Sequence, residues 1–260
     1  MIHAEAWYRE AVRPIPVDPK DVEEARDLLF EEIEATFEVH FSKINKFLPP
    51  GYLWAPNWGP KIMVNTVMGQ RLSIPLNIYL TPFTGFMTVE AFLTLTNPRV
   101  LAIVLPLAGM PGPLAKDVLD HSEVHLRGQV YSAVLHELTH ARDRMVRPTY
   151  DAPYAGLPED ESLSEEEMEE SRRAYFETYF NDSSEVRAHM QQVAWETLEN
   201  LRNVEKSPND ETQPPVSWKE ALSKSTTWES IQEYLTPENR KKVLQGVVRN
   251  LQDQGISLGI

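Results

Sequence analysis

His136, Glu137 and His140 form the pattern H-E-x-x-H within an apolar, helix-compatible stretch, residues 130–145. Residues four positions apart lie on one face of a helix, so both imidazoles can direct a nitrogen at a single metal ion. Neutral imidazole nitrogens suit zinc, and a carboxylate beside them can take a proton from a zinc-bound water. The spacing therefore predicts a zinc ion with an activated water molecule.

The two imidazoles need a third ligand, because a catalytic zinc usually takes three protein ligands and keeps one position for water. The chain has no cysteine, so this ligand must be a histidine, an aspartate or a glutamate. The long metzincin motif is excluded, because Val146 stands where its third histidine would be. Asp143, on nearly the same face as His140, is one candidate, and Glu185 on a later predicted helix is another.

The elements that must position these residues change in character along the chain. A helix is predicted for residues 18–47, where apolar side chains recur at helical spacing. The following region is rich in Val, Ile, Leu, Thr and Phe, and its Pro, Gly and Asn breaks indicate strands at 61–67, 72–80, 88–96 and 100–105. Residues 122–126 alternate in polarity and carry charge, which suits an exposed edge strand.

The rest of the chain is predicted to be helical. A capping-box pattern marks one helix start at Ser164. The predicted helices cover residues 129–146, 165–180, 183–206, 218–223, 227–234 and 237–254. We therefore expect an N-terminal α/β lobe, residues 1–127, and a helical lobe with the metal helix, residues 128–260, which together form one compact catalytic unit.

Length, composition and charge restrict the class of protein. A chain of 260 residues with 42% hydrophobic and 25% charged residues is ordinary for a soluble globular protein. The net charge of −14 disfavours a phosphate-binding surface, so nucleic acid is not an expected partner. No secretory signal is visible, and the longest apolar run, 100–110, is too short to span a bilayer. We expect a cytoplasmic protein without membrane contact, while signal-independent export and packaging in a virus particle stay open.

The order of these elements resembles that of a known family. A strand-rich part, an edge strand, a helix with H-E-x-x-H and then a helix bearing Glu185 resemble the zincin metallopeptidases of the gluzincin type, over about residues 61–205. The resemblance implies an α+β fold with an N-terminal helix and a mixed sheet, followed by a mostly helical part. Many gluzincins carry an aspartate four residues after the glutamate ligand, where this chain has His189.

The resemblance also implies a role for each site residue. It implies that His136, His140 and Glu185 bind Zn²⁺, and that Glu137 is the general base of a zinc metalloendopeptidase. The substrate would be a peptide or protein, which the edge strand 122–126 would bind by strand addition. A donor should stabilise the oxyanion, and Tyr179 is preferred over the other nearby candidates, Tyr175, Arg187 and His189. The oligomeric state is not predicted.

Other interpretations of the same residues stay open. Glu185 could be the capping-box partner of Asp182, and Tyr179 could be a helix-packing residue. His121 and His125 form a second pair, which we interpret as polar residues of an exposed strand. The alternative function is a zincin-like, zinc-binding regulatory or interaction protein without peptidase activity. A helical interaction protein without metal, or a hydrolase of another kind of amide, also remains open.

Overall fold

A computed structural model describes residues 19–36, 47–48, 50–52, 61–65, 71–83, 89–93, 100–146, 164–205 and 217–256. The chain divides into two compact units, residues 1–146 and 147–260. The lobe boundary predicted after residue 127 lies inside a continuous helix, Gly112–Val146, and the observed units divide at the end of that helix. Helices are combined with a small mixed sheet, so the α+β class is confirmed.

Within the described part of the first unit, the sheet contains the strands β1 (Gly51–Tyr52), β2 (Lys61–Asn65), β3 (Arg71–Pro82), β4 (Glu90–Leu93) and β5 (Leu101–Ala108). They lie in the order β1-β3-β5-β4, and β2 also pairs with β3. β3 and β5 are parallel, whereas the other pairs are antiparallel. The mixed sheet and its four predicted strands are therefore confirmed, and the two-residue β1 is an addition.

The centre of the sheet is the buried core of this unit. All eight residues of β5 are buried, as the uniformly apolar segment 100–105 predicts for a strand covered on both faces. On β3, Leu76 and Ile78 are completely buried. Burying a side chain of this size contributes roughly 1.5–3 kcal/mol, so this pair of strands contributes strongly to the stability of the unit.

Two helices accompany the sheet, α1 (Pro19–Thr36) and α2 (Gly112–Val146). They are joined by Arg127 of α2, whose Nη1 lies 3.3 Å from Asp27 Oδ1 and whose guanidinium lies 4.6 Å from the centre of the Phe30 ring. The predicted end of the first helix near residue 47 is wrong, because Phe47 forms a β-bridge with Pro111. The segment 37–46 of that prediction lies outside the described residues.

The predicted edge strand 122–126 is also wrong, because these residues lie in the middle of α2. Side-chain contacts around them have helical spacing: Lys116 Nζ lies 2.8 Å from Asp120 Oδ2, and His121 Nδ1 lies 2.8 Å from the Asp117 carbonyl oxygen. Such pairs, four residues apart, stabilise a helix by a few tenths of a kcal/mol each. A five-residue alternation of polarity is too short to indicate a strand against this pattern.

α2 therefore begins 17 residues before the predicted start at residue 129 and continues through the whole H-E-x-x-H pattern. It packs against the sheet near β4, where the Val89 N–H donates to Gln129 Oε1 at 3.0 Å. Gln129 lies seven residues, or about two turns, before His136. The long helix thus fixes the two histidines relative to the β4 end of the sheet.

The described part of the second unit is helical: α3 (Glu165–Phe180), α4 (Ser183–Glu205), α5 (Trp218–Ser223), α6 (Thr226–Ile231) and α7 (Pro237–Asp253). These bounds confirm the five helices predicted there. Four starts have a serine or threonine cap, and at α3 the full capping box of Ser164 and Glu167 is present. Hydrogen bonds from the Ser164 backbone and hydroxyl hold the pKa of Glu167 below its usual value.

α4 is the central helix of this unit, and it packs against α5, α6 and α7. Its buried Val193, Ala194 and Leu198 contact the buried Trp228 cluster, which includes Ile231, Leu235, Val243, Val247 and Leu251. The turn before α4 is tied down by Asn181, whose Nδ2 donates to the Tyr234 carbonyl at 2.7 Å and whose Oδ1 accepts from the Thr236 N–H at 2.8 Å. The turn before α4 is therefore fixed to the segment 234–236, which precedes α7.

Glu196 in the middle of α4 holds the start of α6. Its carboxylate accepts from Ser225 Oγ and Thr227 Oγ1, each at 2.6 Å, and from the Thr227 N–H at 3.1 Å. We expect Glu196→Ala to lower the free energy of unfolding by about 2 kcal/mol, because hydrogen bonds to a charged acceptor contribute roughly 1.5–3 kcal/mol. Thermal unfolding followed by circular dichroism measures the change.

The matched control for this prediction is Glu199→Ala on the same helix. Glu199 makes a surface ion pair with Arg202 at 3.0 Å, which is worth less than about 1 kcal/mol. Equal stability of the two variants would contradict the role assigned to Glu196.

Among the helices of the described residues, none combines enough length with enough apolar character to cross a membrane.

Candidate metal centre

The two histidines of the motif meet on one face of α2, as their spacing predicts. His136 Nε2 and His140 Nε2 lie 2.9 Å apart, and the ring planes are inclined at 74° with centroids 4.6 Å apart. Both side chains are buried, with exposed fractions of 8% and 6%. Two imidazoles converging through the same nitrogen in a buried place have the arrangement that a shared metal ion requires.

Glu137 occupies the adjacent position on the same helix. At about 100° per residue, His136, His140 and Glu137 lie within an arc of roughly 100°. Glu137 is buried, with an exposed fraction of 8%. It lies in an uninterrupted run of buried residues, 130–141, so this part of α2 is enclosed on all sides. Glu137 is thus a buried carboxylate one position after His136 in the chain.

Glu185 lies in the first turn of α4 and is 2% exposed. The capping function at this helix belongs to Asp182, whose Oδ1 accepts from the Ser184 N–H at 2.8 Å and from Ser184 Oγ at 2.6 Å. The Asp182 N–H, which a capping box would offer to Glu185, donates to the Tyr179 carbonyl at 3.1 Å. This geometry disfavours the capping-box interpretation of Glu185, while the helix N-terminus favours its negative charge.

His136, His140 and Glu185 are close enough to bind a metal ion. Each offers one ligand atom, and these atoms all lie within 4.8 Å of one another. All three residues are buried. The donor set fits zinc, because two imidazole nitrogens and a carboxylate oxygen are the ligands of many catalytic zinc sites, and the chain has no thiolate to offer. They are also the three ligands that the resemblance to gluzincins implies.

Tyr179, the predicted oxyanion donor, is half-buried near the end of α3. Its ring stacks on Tyr175 with centroids 6.0 Å apart and lies edge-on to His189 at 6.4 Å. The tyrosine is therefore part of an aromatic cluster next to the residue that follows Glu185 by one turn. Its catalytic role stays a prediction.

The other candidate metal ligands in the sequence are Asp143 and the second histidine pair, His121 and His125. The side chain of Asp143, the alternative third ligand, lies outside the described residues. His121 and His125 are exposed on α2 and interact with Asp117 and Gln129 of the same helix. A hydrogen bond to the Asp117 carbonyl, together with the Asp117 charge, raises the pKa of His121. Of the described residues, only the group of His136, His140 and Glu185 meets the geometry of a three-residue metal site.

A groove of about 750 Å³ runs along α7 in the second unit. Leu244 and Val248 are in its lining, together with the basic side chains Arg240, Lys241 and Arg249. No histidine, aspartate or glutamate is among its described lining residues, so it offers no metal ligand. The candidate metal ligands, His136, His140 and Glu185, are not part of this groove.

His189 was predicted both as a nearby donor and as the residue that stands where many gluzincins carry an aspartate. Its Nε2 lies 3.8 Å from Glu185 Oε2. The signal was present, because residues 185 and 189 are four apart on a predicted helix.

No protein-family model, curated protein or solved structure matches the chain. The resemblance to gluzincins stays a prediction that rests on the motif and the donor set, because the edge strand expected at residues 122–126 is part of a helix.

Proposed function

We propose that the protein is a zinc-dependent metalloendopeptidase of the gluzincin type. The observation that carries the proposal is the convergence of His136, His140 and Glu185, all buried, to within 4.8 Å. Glu137, next to His136, adds the general base that peptide hydrolysis needs, because it is a buried carboxylate on nearly the same face of the helix.

The residues divide the reaction between them. His136, His140 and Glu185 hold the ion, which when bound supplies Lewis acidity that acidifies a water molecule and polarises the amide carbonyl. Glu137 accepts the proton of the attacking water and then delivers it to the leaving amine. Tyr179 is the proposed donor to the developing oxyanion.

Because residues 122–126 are helical, we assign the substrate-binding role expected for them to β4 instead. Within the described part of the sheet, β4 pairs with β5 on one side only and is the last strand in the order. It also packs beside α2, where Val89 contacts Gln129. A peptide in extended conformation would add to β4 as a further strand.

The test uses the full chain. Metal analysis of the purified protein should find about one zinc per chain. Incubation with a diverse peptide mixture, followed by mass spectrometry, should reveal internal cleavages that a chelator abolishes and added zinc restores.

Two results would overturn the proposal, and they differ in meaning. A protein that binds no zinc under any condition would remove the metal centre itself. A protein that holds zinc and cleaves none of the peptides would be the zinc-binding regulatory or interaction protein, with the centre intact and the peptidase activity refuted.

A further inference from the structure

The side chain of His189 approaches the proposed glutamate ligand from within the same helix. His189 Nε2 lies 3.8 Å from Glu185 Oε2, and the two side chains are 12% and 2% exposed. Residues one turn apart on a helix face each other, so the α4 backbone itself sets this approach. When a carboxylate binds a metal through one oxygen, its other oxygen can still accept a hydrogen bond from a neighbouring donor.

Neighbouring groups set the orientation of the His189 ring. Phe180 and Tyr179 lie edge-on to it, with centroids at 5.2 Å and 6.4 Å. On the other side of the ring, Nδ1 lies 3.1 Å from Oε1 of Gln192. Aromatic contacts on the ring and an amide at Nδ1 together direct Nε2 toward Glu185.

We propose that His189 is a positioning residue, which holds the Glu185 carboxylate in place for zinc by donating its Nε2–H to Oε2. The inference rests on the proposed zinc site. At 3.8 Å the two atoms are too far apart for a hydrogen bond. A small side-chain rotation would bring them to the usual range of about 2.7–3.2 Å.

The tautomer that this role requires needs the Gln192 amide in the orientation opposite to the one in the structure, where Oε1 faces Nδ1. A neutral imidazole that carries its proton on Nε2 has a lone pair on Nδ1. The Gln192 amide can present its NH₂ group to that lone pair after a half-turn of its terminal torsion, which exchanges the amide oxygen and nitrogen. With the amide exchanged, Gln192 would donate to Nδ1 of His189, and Nε2 of His189 would donate to Glu185. Outer hydrogen bonds of this kind fix the orientation of metal ligands in other zinc proteins.

The test compares zinc affinity in three variants by competition with a chelator of known affinity. His189→Phe keeps an aromatic ring beside Phe180 and removes the donor, and we expect it to weaken zinc binding by about 10–100-fold. His189→Gln retains an N–H donor and should recover part of the loss. His125→Phe removes an exposed histidine and should bind zinc as the wild type does.

The unfolding temperature of the zinc-free proteins provides the second measurement. A positioning role predicts that His189→Phe unfolds at the wild-type temperature without zinc and gains less stability when zinc is added. Wild-type zinc affinity in His189→Phe would overturn the inference and leave the metal centre intact. If His189→Phe is unstable without zinc, His189→Gln decides instead: a loss of zinc affinity of more than about 100-fold in this variant, which keeps an N–H donor, would overturn the donor role. A wild-type chain that binds no zinc would overturn both proposals.

Discussion

Glu137→Gln should keep its zinc and lower kcat by about 10²–10⁴-fold, the range that a positioned general base contributes. Glutamine has the shape of glutamate, but its amide cannot take the proton of the attacking water. The three proposed ligands, His136, His140 and Glu185, are unchanged, so the metal content should stay at the wild-type value. Initial rates on a cleaved peptide, with zinc measured in the same preparation, give both quantities.

The matched control is Asp120→Asn, an acid-to-amide change on the exposed side of the same helix. Asp120 pairs with Lys116 at the surface, at 2.8 Å, and lies about four turns before His136. It should retain wild-type activity. Cleavage by Glu137→Gln at the wild-type rate would show that another group activates the water, and it would remove Glu137 from the mechanism.

The local parts of this site could be predicted from the sequence. The H-E-x-x-H pattern places His136 and His140 on one face through helix geometry alone, and the structure brings their Nε2 atoms to 2.9 Å. The cap at Ser164 was equally local, because the hydroxyl and Glu167 are three residues apart. In both cases every interacting atom belongs to one turn or two of the same helix.

The non-local parts could not be predicted in the same way. The parallel pairing of β3 with β5 joins Leu76 to Leu101, and no short-range pattern encodes such a partner. Residues 122–126 were misassigned because five alternating residues fit both an edge strand and an exposed helix face. The ion pair of Lys116 with Asp120, and Pro113 in the first turn of α2, were the helical signals that outweigh that alternation.

The identity of the third ligand depended on tertiary structure in the same way. Sequence spacing left Asp143 as the main alternative to Glu185, since Asp143 lies three residues after His140 on the same helix. The structure brings a ligand atom of Glu185 to within 4.8 Å of the ligand atoms of both histidines. Only the fold can join a residue 45 positions after His140 to the pair.

Glu185→Gln should therefore weaken zinc binding by more than about 100-fold, beyond the range caused by losing an outer hydrogen bond. The glutamine keeps the size of the side chain but has no charge to neutralise the ion. Without zinc the variant should be at least as stable as the wild type, because a buried carboxylate is replaced by a neutral group. Chelator competition measures the affinity, and thermal unfolding with and without zinc measures the stability.

Asp143→Asn distinguishes the two candidate ligands, because it makes the same acid-to-amide change on α2. If Glu185 is the ligand, Asp143→Asn should retain wild-type zinc affinity and a zinc-dependent rise in unfolding temperature, while Glu185→Gln should lose most of that rise. The reverse pattern would transfer the ligand role to Asp143. In that case the metal would be held by α2 alone, and the resemblance to gluzincins would lose its defining residue.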